Sequence, residues 1–248
     1  TPKPSSAASD VYKRQGNHSM DDLPLGVYRF LKQQQSVYAR TLEHPVIKDL
    51  KSDIEFKSFD DVYEKYDQFE AVYQHIVETL IEETRIQDTV YVVPGHPRVA
   101  ETTTAKLLDY NKNNDDIHVK ILGGKSFIDD IFVAIDEDPN DGFTLLDGTI
   151  LKENTLNIRT HTLITQVYSA MIAADVKLTL MERYPDDFKV KIVTGANSQG
   201  AKVLEVPLFE LDHNEDMFNN LTSVFVPKIT RDEDMYTDFD FAVYIIDH

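Results

Sequence analysis

The chain has no cysteine, which excludes disulfides, thiol catalysis and cysteine-ligated metals and suits a cytoplasmic protein. Basic residues are scarce: 25 Lys and Arg stand against 43 Asp and Glu, a net charge of −18. Binding along nucleic acid or an anionic membrane needs a concentrated basic face, so neither partner is expected. No apolar run approaches the roughly 18 residues that would span a bilayer. Thr1 to Gln15 lacks a signal-peptide core and any hydrophobic periodicity, and it is expected to be a non-native or disordered leader. There is no internal repeat and no low-complexity tract.

What the chain does have is 42% hydrophobic residues over 248 positions, ample for a core, and one stretch that organises the rest. Val90 to Val93 is a β-branched and aromatic run suited to a buried parallel strand. Pro94 and Pro97 forbid its continuation, and Gly95 lets the backbone turn sharply. From about Ala100 to Tyr110 a helix follows, with Ala105, Leu107 and Leu108 facing the sheet. A strand, a glycine turn and a helix start place a site at the carboxyl edge of a sheet, where open α/β sheets bind ligands.

The remaining elements alternate in the same way. A helix begins after Pro24 with Val27, Phe30 and Leu31 on one side. Val37 to Ala39 is a short strand, Pro45 to Leu50 a helix, and Phe56 and Phe59 flank an irregular link. Phe69, Tyr73, Ile76 and Leu80 recur at intervals of 4, 3 and 4, the core stripe of a helix. Val119 to Leu122 reads as the next strand, and Ser126 opens a helix burying Phe127, Ile128, Ile131, Phe132 and Ile135. The acidic turn Glu137–Gly142 marks a boundary. Beyond it come strands at Phe143–Leu146 and Thr162–Val167, a helix through Ala170 and Ala173, and another from Lys177 to Tyr184. Strand Val190–Thr194 then leads into the turn Gly195–Gly200, Val203–Val206 pairs back, and Ser223–Val226 is a final strand. Strand–helix alternation means an α/β fold with right-handed crossovers.

Val93-Pro94-Gly95-His96-Pro97-Arg98-Val99-Ala100 resembles the second glycine loop of the tetrapyrrole (corrin/porphyrin) methylase family, usually a hydrophobic strand followed by Gly-Asp-Pro. Val119-Lys-Ile-Leu-Gly-Gly-Lys-Ser-Phe-Ile128 resembles that family's next strand and serine-containing turn. The likeness runs from about Asp21 to Asp240. It extends in particular to the methylase-like half of two-domain bacterial proteins that carry a MazG nucleotide pyrophosphohydrolase domain behind it. The fold implied is two α/β halves, each a mostly parallel or mixed sheet with flanking helices, and a cofactor cleft between them. The expected divisions are a leader at 1–15, an N-terminal half at 16–140, a C-terminal half at 141–228, and at 229–248 a linker with the start of a MazG domain. Family members begin with a buried strand and a Gly-x-Gly-x-Gly-Asp loop. Only Gly16 to Asp21 is left here, so the first strand is expected to be missing.

The resemblance implies an S-adenosylmethionine-dependent methyltransferase acting on a small acceptor such as a tetrapyrrole. The residues it assigns to the cofactor are Gly95, His96, Pro97, Val99, Ser126, Phe127 and, through the segment Gln166-Val167-Tyr168, Val167. The alternative roles are a helix N-cap for Ser126 and plain core for Val167. His96 stands where the family usually has aspartate, and a neutral imidazole accepts through one nitrogen only. The alternative function is a non-catalytic or regulatory module serving a MazG-type pyrophosphohydrolase, with a homodimer as an expected assembly. The chain as it stands is expected to bind the cofactor weakly or not at all and to lack pyrophosphohydrolase activity. Gly124-Lys125-Ser126 has the ending of a P-loop, but Val119 occupies the place of its first glycine. Glu78, Glu82 and Glu83 resemble a MazG magnesium motif, but Ile86 fills the third glutamate's place, and a solvated helix face is the reading adopted.

Overall fold

The computed structural model describes residues 20–66, 68–99, 101–197 and 200–230. The expected leader, the loop remnant up to Ser19 and the apolar stretch Phe241–Ile246 lie outside these residues. The chain divides into two compact units, one reaching Ile131 and including Ala196–Gly200, the other comprising Phe132–Gly195 and the chain from Ala201. The division therefore falls within a helix rather than at the acidic turn Glu137–Gly142.

In the first unit, α1 (Leu25–Leu31), β1 (Val37–Ala39), α2 (Pro45–Leu50), β2 (Phe56–Ser58), α3 (Asp60–Lys65), α4 (Phe69–Thr84), β3 (Val90–Val92) and α5 (Thr102–Asn113) alternate along the chain. The three strands form a parallel sheet in the order β2-β1-β3. Alternation across the pleat decides the two layers. Val37, Val90 and Val92 pack with Leu31, Leu50 and Ile54 on one face, whereas Tyr38 and Tyr91 pack with Val72, Ile76, Leu80 and Leu107 on the other. The α4 stripe is shifted from the expected one. Its buried residues are Val72, Ile76, Val77, Leu80 and Ile81, and Phe69 lies at the exposed rim stacked on Tyr73.

Two expectations fail in this unit. The segment between Phe56 and Phe59 is ordered as β2, followed directly by α3, because Phe56–Ser58 registers against Val37–Ala39. Val119–Leu122 is not a strand: residues 117–126 carry no ladder. The amide of Val119 donates instead to Asn111 Oδ1 at 2.9 Å. Strand identity requires a paired neighbour, which local composition cannot supply.

Helix α6 (Phe127–Ile135) precedes the second sheet. Its strands are β4 (Phe143–Asp147), β5 (His161–Thr165), β6 (Lys189–Asn197), β7 (Gly200–Pro207) and β8 (Thr222–Val226), in the order β4-β5-β8-β6-β7. β4 and β5 are parallel, and β8 runs antiparallel to both β5 and β6. Strands β5 and β8 are buried throughout, as expected of the centre of a sheet covered on both faces. A single helix, α7 (Ala170–Met181), replaces the two expected ones. Ser169 caps it by accepting from the Ile172 amide, and no breaker interrupts it before Met181. Gly195 does not open a turn but sits within β6 at φ +68°, so the hairpin is longer than its glycines suggest.

Candidate functional site

At the carboxyl end of β3 the chain turns as its prolines and glycine require. Pro94 ends the ladder, and Gly95 adopts φ +74°, a region costly for any residue with a Cβ. The Val99 amide donates to the His96 carbonyl at 3.0 Å, closing the turn. His96 closes it a second time: its Nδ1 accepts from the Arg98 amide at 3.1 Å. That bond requires Nδ1 to be unprotonated, leaving Nε2 as the ring's donor. The side chain thus does in its own turn what an aspartate would do through an Asx-type bond.

The loop is held at its far end by a buried charge pair. Arg40, immediately after β1, donates through Nη1 to Glu101 Oε2 at 2.8 Å and through Nε to Tyr63 Oη at 3.3 Å. The two charged side chains are only 7% and 3% exposed. Burial works against the Arg40 charge, but Glu101 and then Tyr63 hold its pKa above the ordinary value. Burial also pushes the neighbouring Tyr91 hydroxyl well above its usual range, so it stays neutral. The pair joins the end of one strand to the residue that starts α5.

The second glycine loop meets the first. A Cβ added at Gly124 would lie 3.1 Å from the Gly95 carbonyl oxygen, and one at Gly123 would lie 3.8 Å from His96 Nε2. Next to them Lys125 Nζ binds Asp22 Oδ1 at 2.8 Å and Asp130 Oδ1 at 2.7 Å. Burial opposes the ammonium charge, yet Asp130 and Asp22 raise its pKa. Ser126 forms a capping box at the start of α6: its Oγ accepts from the Ile128 amide, and Asp129 Oδ2 accepts from the Ser126 amide at 2.8 Å. A cavity of about 510 Å³ runs below these loops, with Gly95, Pro97, Gly123, Gly124 and Lys125 among its walls.

Of the residues singled out from sequence, the fold therefore brings Gly95, His96 and Pro97 together with Gly123 and Gly124. Val99 is half-buried just behind the first turn. The Ser126 hydroxyl is engaged as a helix cap, and Phe127 is the first residue of α6. Val167 lies in the second unit, wholly buried in its core, with its amide bonded to the Thr222 carbonyl. Beside it Gln166 adopts φ +62°, unusual for a residue other than glycine. Sequence reasoning missed Arg40, Glu101 and the Asp22–Lys125–Asp130 group. The only available signal was position, charged residues placed directly at a strand end or a helix start.

Charge, backbone and cavity at this edge suit a small organic ligand with a polar end. Among the described residues, no group of three or more His, Asp or Glu could hold a metal ion. No helix among them is long and apolar enough to cross a membrane.

Comparison with known proteins agrees with the fold. Three solved structures are similar: diphthine synthase (TM-score 0.62, 14% identity, 86% of this chain and 87% of that one), uroporphyrin-III-C-methyltransferase from Thermus thermophilus (0.64, 16%, 86% and 91%) and the cobalt precorrin-4 methyltransferase CbiF (0.60, 14%, 85% and 90%). A Bacillus subtilis (strain 168) relative, the uncharacterized protein YabN, is 45% identical over 225 residues, covering 90% of this chain. The chain spans only 46% of that relative's length. Residues 16–212 match the profile of the Tetrapyrrole (Corrin/Porphyrin) Methylases, and with coverage of that extent the chain belongs to this family.

Proposed function

We propose that this chain is an S-adenosylmethionine-dependent methyltransferase module whose cofactor lies against the loops Gly95–Pro97 and Gly123–Lys125. The observation that carries this reading is the backbone-to-backbone approach of those loops at the carboxyl end of β3, where a Cβ on Gly124 would press on the Gly95 carbonyl. The residues fit the group. Bare backbone amides and carbonyls suit the hydroxyls and amine of a nucleoside ligand, and Lys125, neutralised by Asp22 and Asp130, presents no excess positive charge to a sulfonium.

When bound, the cofactor supplies an activated methyl group for in-line transfer. The chain's part is to position: the Gly95 turn and the Gly123–Gly124 backbone hold the donor still, and the Arg40–Glu101 pair holds the first loop. No acid–base dyad is required of such a site. The acceptor class is a tetrapyrrole-like or other small molecule, in keeping with the family.

A second reading is a non-catalytic or regulatory methylase-like module of a MazG-type nucleoside triphosphate pyrophosphohydrolase. It is favoured by His96, whose single acceptor nitrogen is used within its own turn. Photo-crosslinking with methyl-labelled S-adenosylmethionine separates the two. The first reading expects label on peptides covering 95–99 or 123–127. Label on neither, at saturating cofactor, favours the second.

A further inference from the structure

Helix α7 is apolar on two opposite sides. Ile172, Ala173, Val176 and Leu180 are buried in the core of the second unit. On the other side Met171, Ala174, Leu178 and Met181 follow one another at intervals of 3, 4 and 3. Met171 is 74% exposed and Leu178 61%. The 3-10 turn Gly148–Ile150 packs beside the helix and leaves Ile150 exposed as well. A helix that is apolar all round is ordinarily covered all round, and spacing of this kind is the seam between two packed helices. Isolated surface apolar residues need no explanation, whereas a continuous row marks a surface that another molecule covers. The row runs for about 15 Å, nearly three turns.

The borders of this face set its charge. At 3.6 residues per turn, Asp175 and Glu182 fall together along one border, next to Met171. Both are exposed, and among the described residues neither carboxylate is ion-paired. Along the other border Lys177 is tied to Asp212 at 2.7 Å. Asp212 lies in the turn Leu208–His213, which packs on α7 and also presents Glu210 to solvent. Arg183, just past the helix, is bonded to Glu153. The face is therefore an apolar strip between acidic borders, and the lysine and arginine nearest to it are already engaged.

We propose that the outer face of α7 is a docking strip for one α-helix of a partner protein, with an apolar seam and lysine or arginine along its flanks. The regular row of apolar side chains fits the interlocking ridges of a second helix, and Ala174, the small residue between Met171 and Leu178, admits a large side chain from it. Charge complementarity decides the flanks: basic side chains over Asp175, Glu182 and Glu210 gain attraction that no cation of this chain supplies there. A second copy would bring the same carboxylates, and a net charge of −18, to the other side of the seam, so like charge opposes it. The chain's own residues 231–248 hold one arginine among several aspartates and meet the same opposition. This inference stands apart from the cofactor reading, since it uses none of the glycine-loop residues.

The test is a fluorescence anisotropy titration of the full chain against a labelled helical peptide of about three heptads, leucine at a and d and lysine at e and g. Saturable binding is expected, about ten-fold weaker in a protein carrying Met171→Gln and Leu178→Gln, which leaves the net charge unchanged. Asp175→Asn with Glu182→Gln should weaken it several-fold and flatten its salt dependence, and the same peptide with glutamate at e and g should not bind. On the unaltered chain, where no substitution can disturb folding, a spin-labelled copy of the peptide should broaden the Met171 methyl resonance. No saturable binding, or no broadening at saturation, would overturn the proposal. Binding undiminished by Met171→Gln and Leu178→Gln would also overturn it, by reducing the effect to attraction between a basic peptide and an acidic protein. Self-association of the chain that those two substitutions abolish would give the face to a second copy and overturn it likewise.

Discussion

At the scale of single residues, the Arg40–Glu101 pair is the most costly commitment in the first unit. Both charges are out of water, so removing one partner leaves the other buried and uncompensated. Arg40→Met or Glu101→Leu alone should lower unfolding free energy by roughly 3–5 kcal/mol in denaturant titration, and the double variant should recover most of that loss. Additive losses would mean that the pair does not act as a unit. His96 makes a smaller contribution, a single bond to the Arg98 amide. His96→Ala should cost about 1 kcal/mol, whereas His96→Asn, which can accept the same amide, should cost less. Equal losses in thermal melts would remove the turn role given to the imidazole.

At the scale of elements, the sequence announced most of what the fold uses, and its failures share a cause. The β3–Gly95–α5 unit, the Pro45–Leu50 helix and the β8 strand were legible because proline, glycine and β-branched runs act locally. Val119–Leu122 has strand composition but no ladder, because ladders need neighbours, and the expected break before Lys177 is absent because nothing in the local sequence interrupts a helix that runs from Ala170 to Met181. In the site, the glycine loops were legible as motifs, but the Arg40–Glu101 bridge, spanning 61 residues of sequence, was not. Gly148 is another such case. It follows β4 unremarkably in sequence, yet a Cβ there would lie 2.9 Å from the Thr165 carbonyl and 3.2 Å from Val167 Cγ2. Gly148→Ala should therefore destabilise by roughly 1–3 kcal/mol through overpacking, read as a lowered denaturant midpoint with an unchanged slope. No loss would mean that the Gln166–Val167 corner is looser than its geometry.

At the scale of the whole molecule, an acidic chain with net charge −18 holds at His161 a buried base whose titration matters to folding. His161, on β5, stacks on Phe225, and its Nδ1 accepts from the Lys228 amide at 3.3 Å. Burial pushes its pKa below the ordinary value, with Glu137 opposing in part. A histidine with a depressed folded pKa contributes stability above its unfolded pKa of about 6.5 and loses it as the pH falls through the folded value. Melting temperature should therefore drop between about pH 7 and pH 5, with a shallower slope in His161→Asn. Parallel slopes would assign the acid sensitivity to other groups.

The central claim, a family methylase fold whose two glycine loops hold the cofactor, is tested most directly by calorimetric titration with S-adenosylhomocysteine of the chain and of Gly124→Val. The account predicts saturable one-to-one binding by the chain, at a strength of roughly a millimolar dissociation constant or tighter, about 4 kcal/mol or more. It also predicts loss of that binding in a Gly124→Val protein that still melts cooperatively, because the added side chain would press on the Gly95 carbonyl. No heat of binding at millimolar ligand, or binding undiminished by Gly124→Val, would contradict it.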